Sequence, residues 1–81
     1  MVAAKRDVTR VARLNGGVSL VCEGSHGQTW AFSVMQHEVT DSSWEIRSYD
    51  GFHPLEASDI TLSEAVRRIY REYTARSITI A

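Results

Sequence analysis

Apolar and polar residues alternate through the middle of the chain with the period of two expected of strands that have one covered face. From Gln28 to His37, Trp30, Phe32 and Val34 point one way, while Thr29, Ala31, Ser33, Met35 and His37 point the other. The same alternation recurs from Trp44 to Asp50, where Trp44 and Ile46 face inward and Glu45, Arg47 and Tyr49 outward. Upstream, Val18, Leu20 and Cys22 alternate with Ser19, Val21 and Glu23. Residues 7–14 fit two periods. As a strand closed by the three-residue loop Asn15-Gly16-Gly17, they place Leu14 opposite Val18, Ala12 opposite Leu20 and Arg10 opposite Cys22. As a helix, Val8, Val11 and Ala12 share a stripe that Asn15-Gly16 would end. The hairpin is the favoured expectation, because its register gathers Val8, Ala12, Leu14, Val18, Leu20 and Cys22 on one face.

Turn signals separate these runs at Gly24-Ser25-His26-Gly27, Thr40-Asp41-Ser42-Ser43 and Asp50-Gly51. Phe52 to Leu55 can form only a short edge strand, since Pro54 has no amide to donate to a ladder. The clearest helix follows. Thr61-Leu62-Ser63-Glu64 reads as a capping box with Ile60 and Ala65 as its hydrophobic staple. Leu62, Val66, Ile69 and Tyr73 then form one stripe, flanked by Ala65 and Tyr70. Ser77 to Ala81 alternates weakly and is either a last strand or a frayed end. The expected fold is α+β, an antiparallel meander of about four strands with one C-terminal helix packed on one face, a single domain over residues 1–81.

Composition bounds what this fold can do. The single Cys22 excludes a disulfide framework within the chain and a multi-cysteine metal site. No apolar run approaches the roughly 18 residues of a membrane span, and no apolar core follows the charges of Met1–Asp7, so the expected location is cytoplasmic. Net charge is −1, but that average hides segregation. Residues 1–14 carry +3 and residues 65–81 carry +3, whereas residues 15–64 set Arg47 against eight carboxylates for −7. Eight of the nine basic residues are arginine, the side chain suited to bidentate contacts.

Catalytic chemistry finds little to stand on. His26, His37 and His53 lie eleven and sixteen residues apart with no metal-ligand spacing, so no metal is expected. Cys22 sits on the inward face of a strand, where a thiol behaves as a small hydrophobe. Ser25 and His26 are neighbours without a nucleophile elbow around them. Asn15-Gly16-Gly17 leads into a strand instead of the helix N-terminus that cradles phosphates. The chain therefore reads as non-catalytic and free of cofactors.

Binding surfaces are easier to read. The uncovered sheet face, with Met35, Arg47 and Tyr49, presents an apolar centre and a mixed polar rim suited to a protein partner. Glu38, Asp41, Glu45 and Asp50 form an acidic segment beside it. On the helix, Arg67 and Arg71 face outward without an acidic partner at helical spacing, while Arg68 has Glu64 and Glu72 on either side. Direct nucleic-acid binding is expected less than protein binding, given the acidic middle and the absence of an aromatic stacking platform. The strand-rich middle and following helix resemble a double-stranded RNA-binding domain. Thr61-Leu62-Ser63-Glu64 stands where that family's last helix begins with lysines, which sets the chain apart from it.

In size and build the chain resembles the small inhibitors that phages and mobile elements encode against host defence, anti-CRISPR proteins in particular. That resemblance implies a CRISPR effector complex as the target. Glu38, Asp41, Glu45 and Asp50 would then occupy a basic nucleic-acid channel as a DNA mimic does. The alternatives are a regulatory nucleic-acid-binding module using Arg67 and Arg71, and an accessory subunit that works as a homodimer.

Overall fold

The computed structural model describes residues 3–48, 55–72 and 77–81. Its elements run α1 (Lys5–Asn15), β1 (Gly17–Glu23), β2 (Thr29–Gln36), β3 (Trp44–Ser48), β4 (Ala57–Ile60), α2 (Leu62–Glu72) and β5 (Ser77–Ile80). The strands form one antiparallel sheet in the order β4-β3-β2-β1-β5, so the last strand returns to pair with the first. The fold is α+β as expected, with five strands and two helices among the described residues.

The second helix is α1, which replaces the expected hairpin arm. Its formation follows from how each conformation sorts residues 8–14. A strand with Val8, Ala12 and Leu14 facing the core also turns Arg10 inward, beside Cys22. A helix brings Val8 and Ala12, four residues apart, onto one buried face and turns Arg6, Arg10 and Arg13 to water. Gly16 ends the helix at φ 71, a left-handed conformation that costs glycine nothing. Leu14, expected opposite Val18, is instead 82% exposed. Strand β1 takes β2 as its partner, with Val18 opposite Val34, Leu20 opposite Phe32 and Cys22 opposite Trp30.

Both helices pack on the same face of the sheet. Val18, Leu20 and Cys22 from β1, Phe32 and Val34 from β2, Trp44 and Ile46 from β3, and Ile78 from β5 meet them there. Val8 and Ala12 from α1 and Leu62, Ala65, Val66 and Ile69 from α2 complete the core. Helix α2 starts where the capping residues place it. The Thr61 Oγ1 accepts a hydrogen bond from the Glu64 amide at 3.0 Å, a contact worth about 1 kcal/mol. The reciprocal half of the box does not form, because the Glu64 carboxylate reaches forward to Arg67 and Arg68. Tyr73 lies outside the described residues.

The sheet's ends differ from expectation in one further place. The edge strand is Ala57–Ile60, and Leu55 is not part of it, while Phe52–Pro54 fall outside the described residues. Trp44 pairs with Ile60 and Ile46 with Ala57, so β4 carries one extra residue and bulges, with Asp59 at φ 57. The β1–β2 turn is tight at Gly24, whose amide bonds the Gln28 carbonyl at 2.7 Å. A Cβ there would come within 2.8 Å of the Gln28 and Trp30 side chains. At the other edge, Ser77–Ile80 is a strand and not a frayed end, and the Ala3 amide donates to the Ile78 carbonyl at 2.7 Å.

Candidate functional site

Neither described helix packs on the other face of the sheet, and antiparallel register arranges it in rows. Glu45 lies opposite Met35 and Met35 opposite Gly17. Arg47 lies opposite Ser33, and Ser33 opposite Ser19. Ala31, Val21 and Thr79 form the next row. Thus Met35, Glu45 and Arg47 come together at one end of the uncovered face, and Met35 is 45% exposed there. Tyr49 and Asp50 lie outside the described residues. Ser33 is only 2% exposed, and its Oγ has no hydrogen-bond partner among the described residues.

Glu45 is already engaged. Its Oε2 lies 2.7 Å from the His37 Nε2 and its Oε1 3.1 Å from the Arg47 Nε. His37 and Arg47 thus engage one carboxylate oxygen each, and the Glu45 charge is answered within the chain by Arg47. Glu38 and Asp41, by contrast, sit exposed in the loop of residues 37–43.

That loop is built from within. The Ser43 hydroxyl accepts from the Glu38 amide at 3.0 Å and donates to the carbonyl of Glu38 at 2.6 Å or of Thr40 at 2.9 Å. The Gln36 side-chain amide bonds the Thr40 carbonyl at 3.0 Å, and the His37 amide bonds the Ser43 carbonyl at 3.0 Å. Satisfying these backbone groups internally fixes the loop's shape. At its tip stands Val39, fully exposed at 100%, with Glu38 and Asp41 close by in the loop. The sequence reading took only residues 40–43 as a turn, ran the strand on to His37 where β2 ends at Gln36, and missed Val39. The signal was present in the run of hydroxyl and carboxylate residues from Glu38 to Ser43, which can bond their own backbone.

The helical arginines lie in the other layer, away from this cluster. Arg67 does have an acidic partner, Glu64, three residues before it, a spacing that also meets across a helix surface. Arg68 shares the same carboxylate at 2.8 Å. Arg71 has no carboxylate partner among the described residues.

Groups with catalytic potential are few. Cys22 is buried, and burial pushes its thiol from an ordinary 9.0 up to about 11, which keeps it protonated and unreactive at neutral pH. The Ser25 Oγ lies 3.1 Å from the His26 Nδ1 in an exposed turn, with no ion pair to orient the imidazole among the described residues. The same residues hold no cluster of three His, Cys, Asp or Glu side chains able to share a metal ion. Two open hollows border the sheet, one along Arg47, Glu56 and Ser58, the other along Gly17, Ser19 and Met35. Neither encloses a ligand in the way a substrate cleft does. No described helix is long and apolar enough to cross a membrane. Compared with family models, curated proteins and solved structures, the chain matches none.

Proposed function

We propose that the chain is a non-catalytic protein-binding module that masks or bridges its partner through the uncovered end of the sheet and the loop of residues 37–43. The observation that carries this reading is Val39, an apolar side chain held fully exposed at the tip of a loop whose backbone is pinned by Ser43. A pre-shaped apolar tip loses little entropy on docking, and an exposed apolar group gains by leaving water. Met35 extends the apolar contact, and Glu38 and Asp41 favour a partner with basic groups around a small hydrophobic recess. A small inhibitor of the anti-CRISPR type would work in this way, covering the basic surface of a CRISPR effector complex.

The test is capture from a nuclease-treated lysate with immobilised protein, comparing the unaltered chain with the double variant Met35→Ser, Val39→Ser. Both residues are exposed, so the variant is expected to keep its melting temperature within a few degrees. A protein retained by the unaltered chain and lost from the variant supports the reading. Retention of nothing after nuclease treatment, or of the same proteins by both, overturns it. Interference with target cleavage by purified effectors then tests the inhibitor assignment directly.

A further inference from the structure

The helix that replaced the expected hairpin arm changes where the positive charge lies. On α1, Arg6, Arg10 and Arg13 follow at i, i+4 and i+7, all exposed and all opposite the buried Val8 and Ala12. On α2, Arg67 and Arg71 are likewise exposed and opposite Leu62, Val66 and Ile69. Both helices back onto the same sheet face, and they meet at the N-terminal end of α1 and the C-terminal end of α2. There the Tyr70 hydroxyl donates to the Ala3 carbonyl, and the Lys5 ammonium lies 5.7 Å from the centre of the Tyr70 ring. Together α1 and α2 carry seven cations against three carboxylates. Glu64 is shared by two arginines, and Asp7 stands 3.6 Å from Arg10. Among the described residues, Arg6, Arg13 and Arg71 have no carboxylate partner.

We infer that the outer surface of α1 and α2 is a docking surface for the phosphodiester backbone of duplex DNA, read without sequence preference. Charge complementarity selects the occupant. From Arg6 to Arg13 the helix rises about 10 Å, which spans about three steps of one DNA strand at 3.4 Å each. The guanidinium forks suit phosphate oxygens. Among the described residues of this surface, the Tyr70 ring is engaged at the helix seam and is not offered for base stacking. This surface is independent of the one proposed for protein binding and lies on the opposite layer.

The experiment is a fluorescence-anisotropy titration of the whole chain against a random-sequence duplex DNA of about 20 base pairs, at several salt concentrations. Binding is expected with a Kd of about 10⁻⁴–10⁻⁶ M near 150 mM salt, and five phosphate contacts give a log–log salt slope of about −4 to −5. The triple variant Arg6→Gln, Arg13→Gln, Arg71→Gln is expected to flatten that slope by nearly three and to weaken binding at least tenfold. Circular dichroism checks its fold, and single Arg13→Gln, expected to flatten the slope by about one, serves if the triple does not fold. Met35→Ser, Val39→Ser is expected to bind DNA as the unaltered chain does, which separates this result from the protein-binding test. No binding at 50 mM salt, a slope unchanged by the arginine variants, or equal or tighter binding to duplex RNA, anionic vesicles or an acidic polypeptide overturns the inference.

Discussion

The two faces of the sheet are made by the same strands and differ in almost every physical respect. On the covered face Leu20, Phe32, Val34, Trp44 and Ile46 are buried under α1 and α2, each gaining roughly 1.5–3 kcal/mol from leaving water. On the bare face the same strands carry Gly17, Ser19, Ala31 and Ser33, with Glu45 and Arg47 paired at one end. Small side chains give that face little to gain from a cover within the chain. Folding energy is therefore concentrated on one side of a single layer of backbone, and the other side can be altered without disturbing it.

The largest effect expected from this contrast compares neighbours on β2. Phe32→Ala removes a fully buried ring from the central strand and is expected to cost about 3–5 kcal/mol, enough to unfold much of a domain this small. Met35→Ser, three residues on and facing the other way, is expected to cost under about 1 kcal/mol. Urea denaturation of both checks this, and comparable losses would break the distinction between the faces.

A pH titration sharpens the same contrast on the covered side. The Cys22 thiol ionises near 9.0 when exposed and near 11 when buried, so above pH 9 the unfolded chain loses its proton first. The stability tied to the neutral thiol is whole below pH 9 and falls by roughly 2–3 kcal/mol as pH rises to 11. Cys22→Ala, expected to cost about 1–2 kcal/mol at pH 7, should narrow that deficit or reverse it at pH 11. An unchanged gap between the two chains across this range would mean the thiol is not buried as described. Burial also raises the Tyr70 hydroxyl, and a Cys22 thiolate would raise it further, so the tyrosine is expected to titrate earlier in the variant than in the unaltered chain.

The smallest effect belongs to Ser33, whose Oγ is buried on the otherwise bare face without a partner among the described residues. Ser33→Ala is expected to be neutral or slightly stabilising, because it removes a desolvated hydroxyl that makes no bond. A loss above about 1 kcal/mol, read from the same denaturation curves, would show that the hydroxyl is satisfied in solution.

How far the sequence could be read follows from how many periods each segment obeyed. Residues 29–36 and 44–48 fit only a strand, and residues 62–72 only a capped helix, and all three were legible. Residues 5–15 fit two patterns, and apolar spacing alone favoured the wrong one. The arginines resolve it, since only a helix sends Arg6, Arg10 and Arg13 to one side while burying Val8 and Ala12. Of the expected contact residues, Met35, Glu45 and Arg47 were placed together by strand alternation. The His37–Glu45 pair and the exposed Val39 were not legible, because both depend on how the loop of residues 37–43 folds back on itself. Loop geometry is set by bonds between side chains and backbone, which leave no period in a sequence.

The placement of β5 beside β1 has a kinetic consequence. β1, β2 and β3 can zip together through short turns, but β5 reaches β1 only after more than fifty residues of intervening chain are gathered in, since Cys22 pairs with Ile78. Until then one margin of the sheet exposes the unpaired amides and carbonyls of β1 alongside Val18, Leu20 and Cys22. A second molecule caught at that moment can supply its own residues 77–80 to the vacancy. Exchange of this strand between molecules is thus the misassembly that this topology invites, and slow refolding at high concentration is where it would surface.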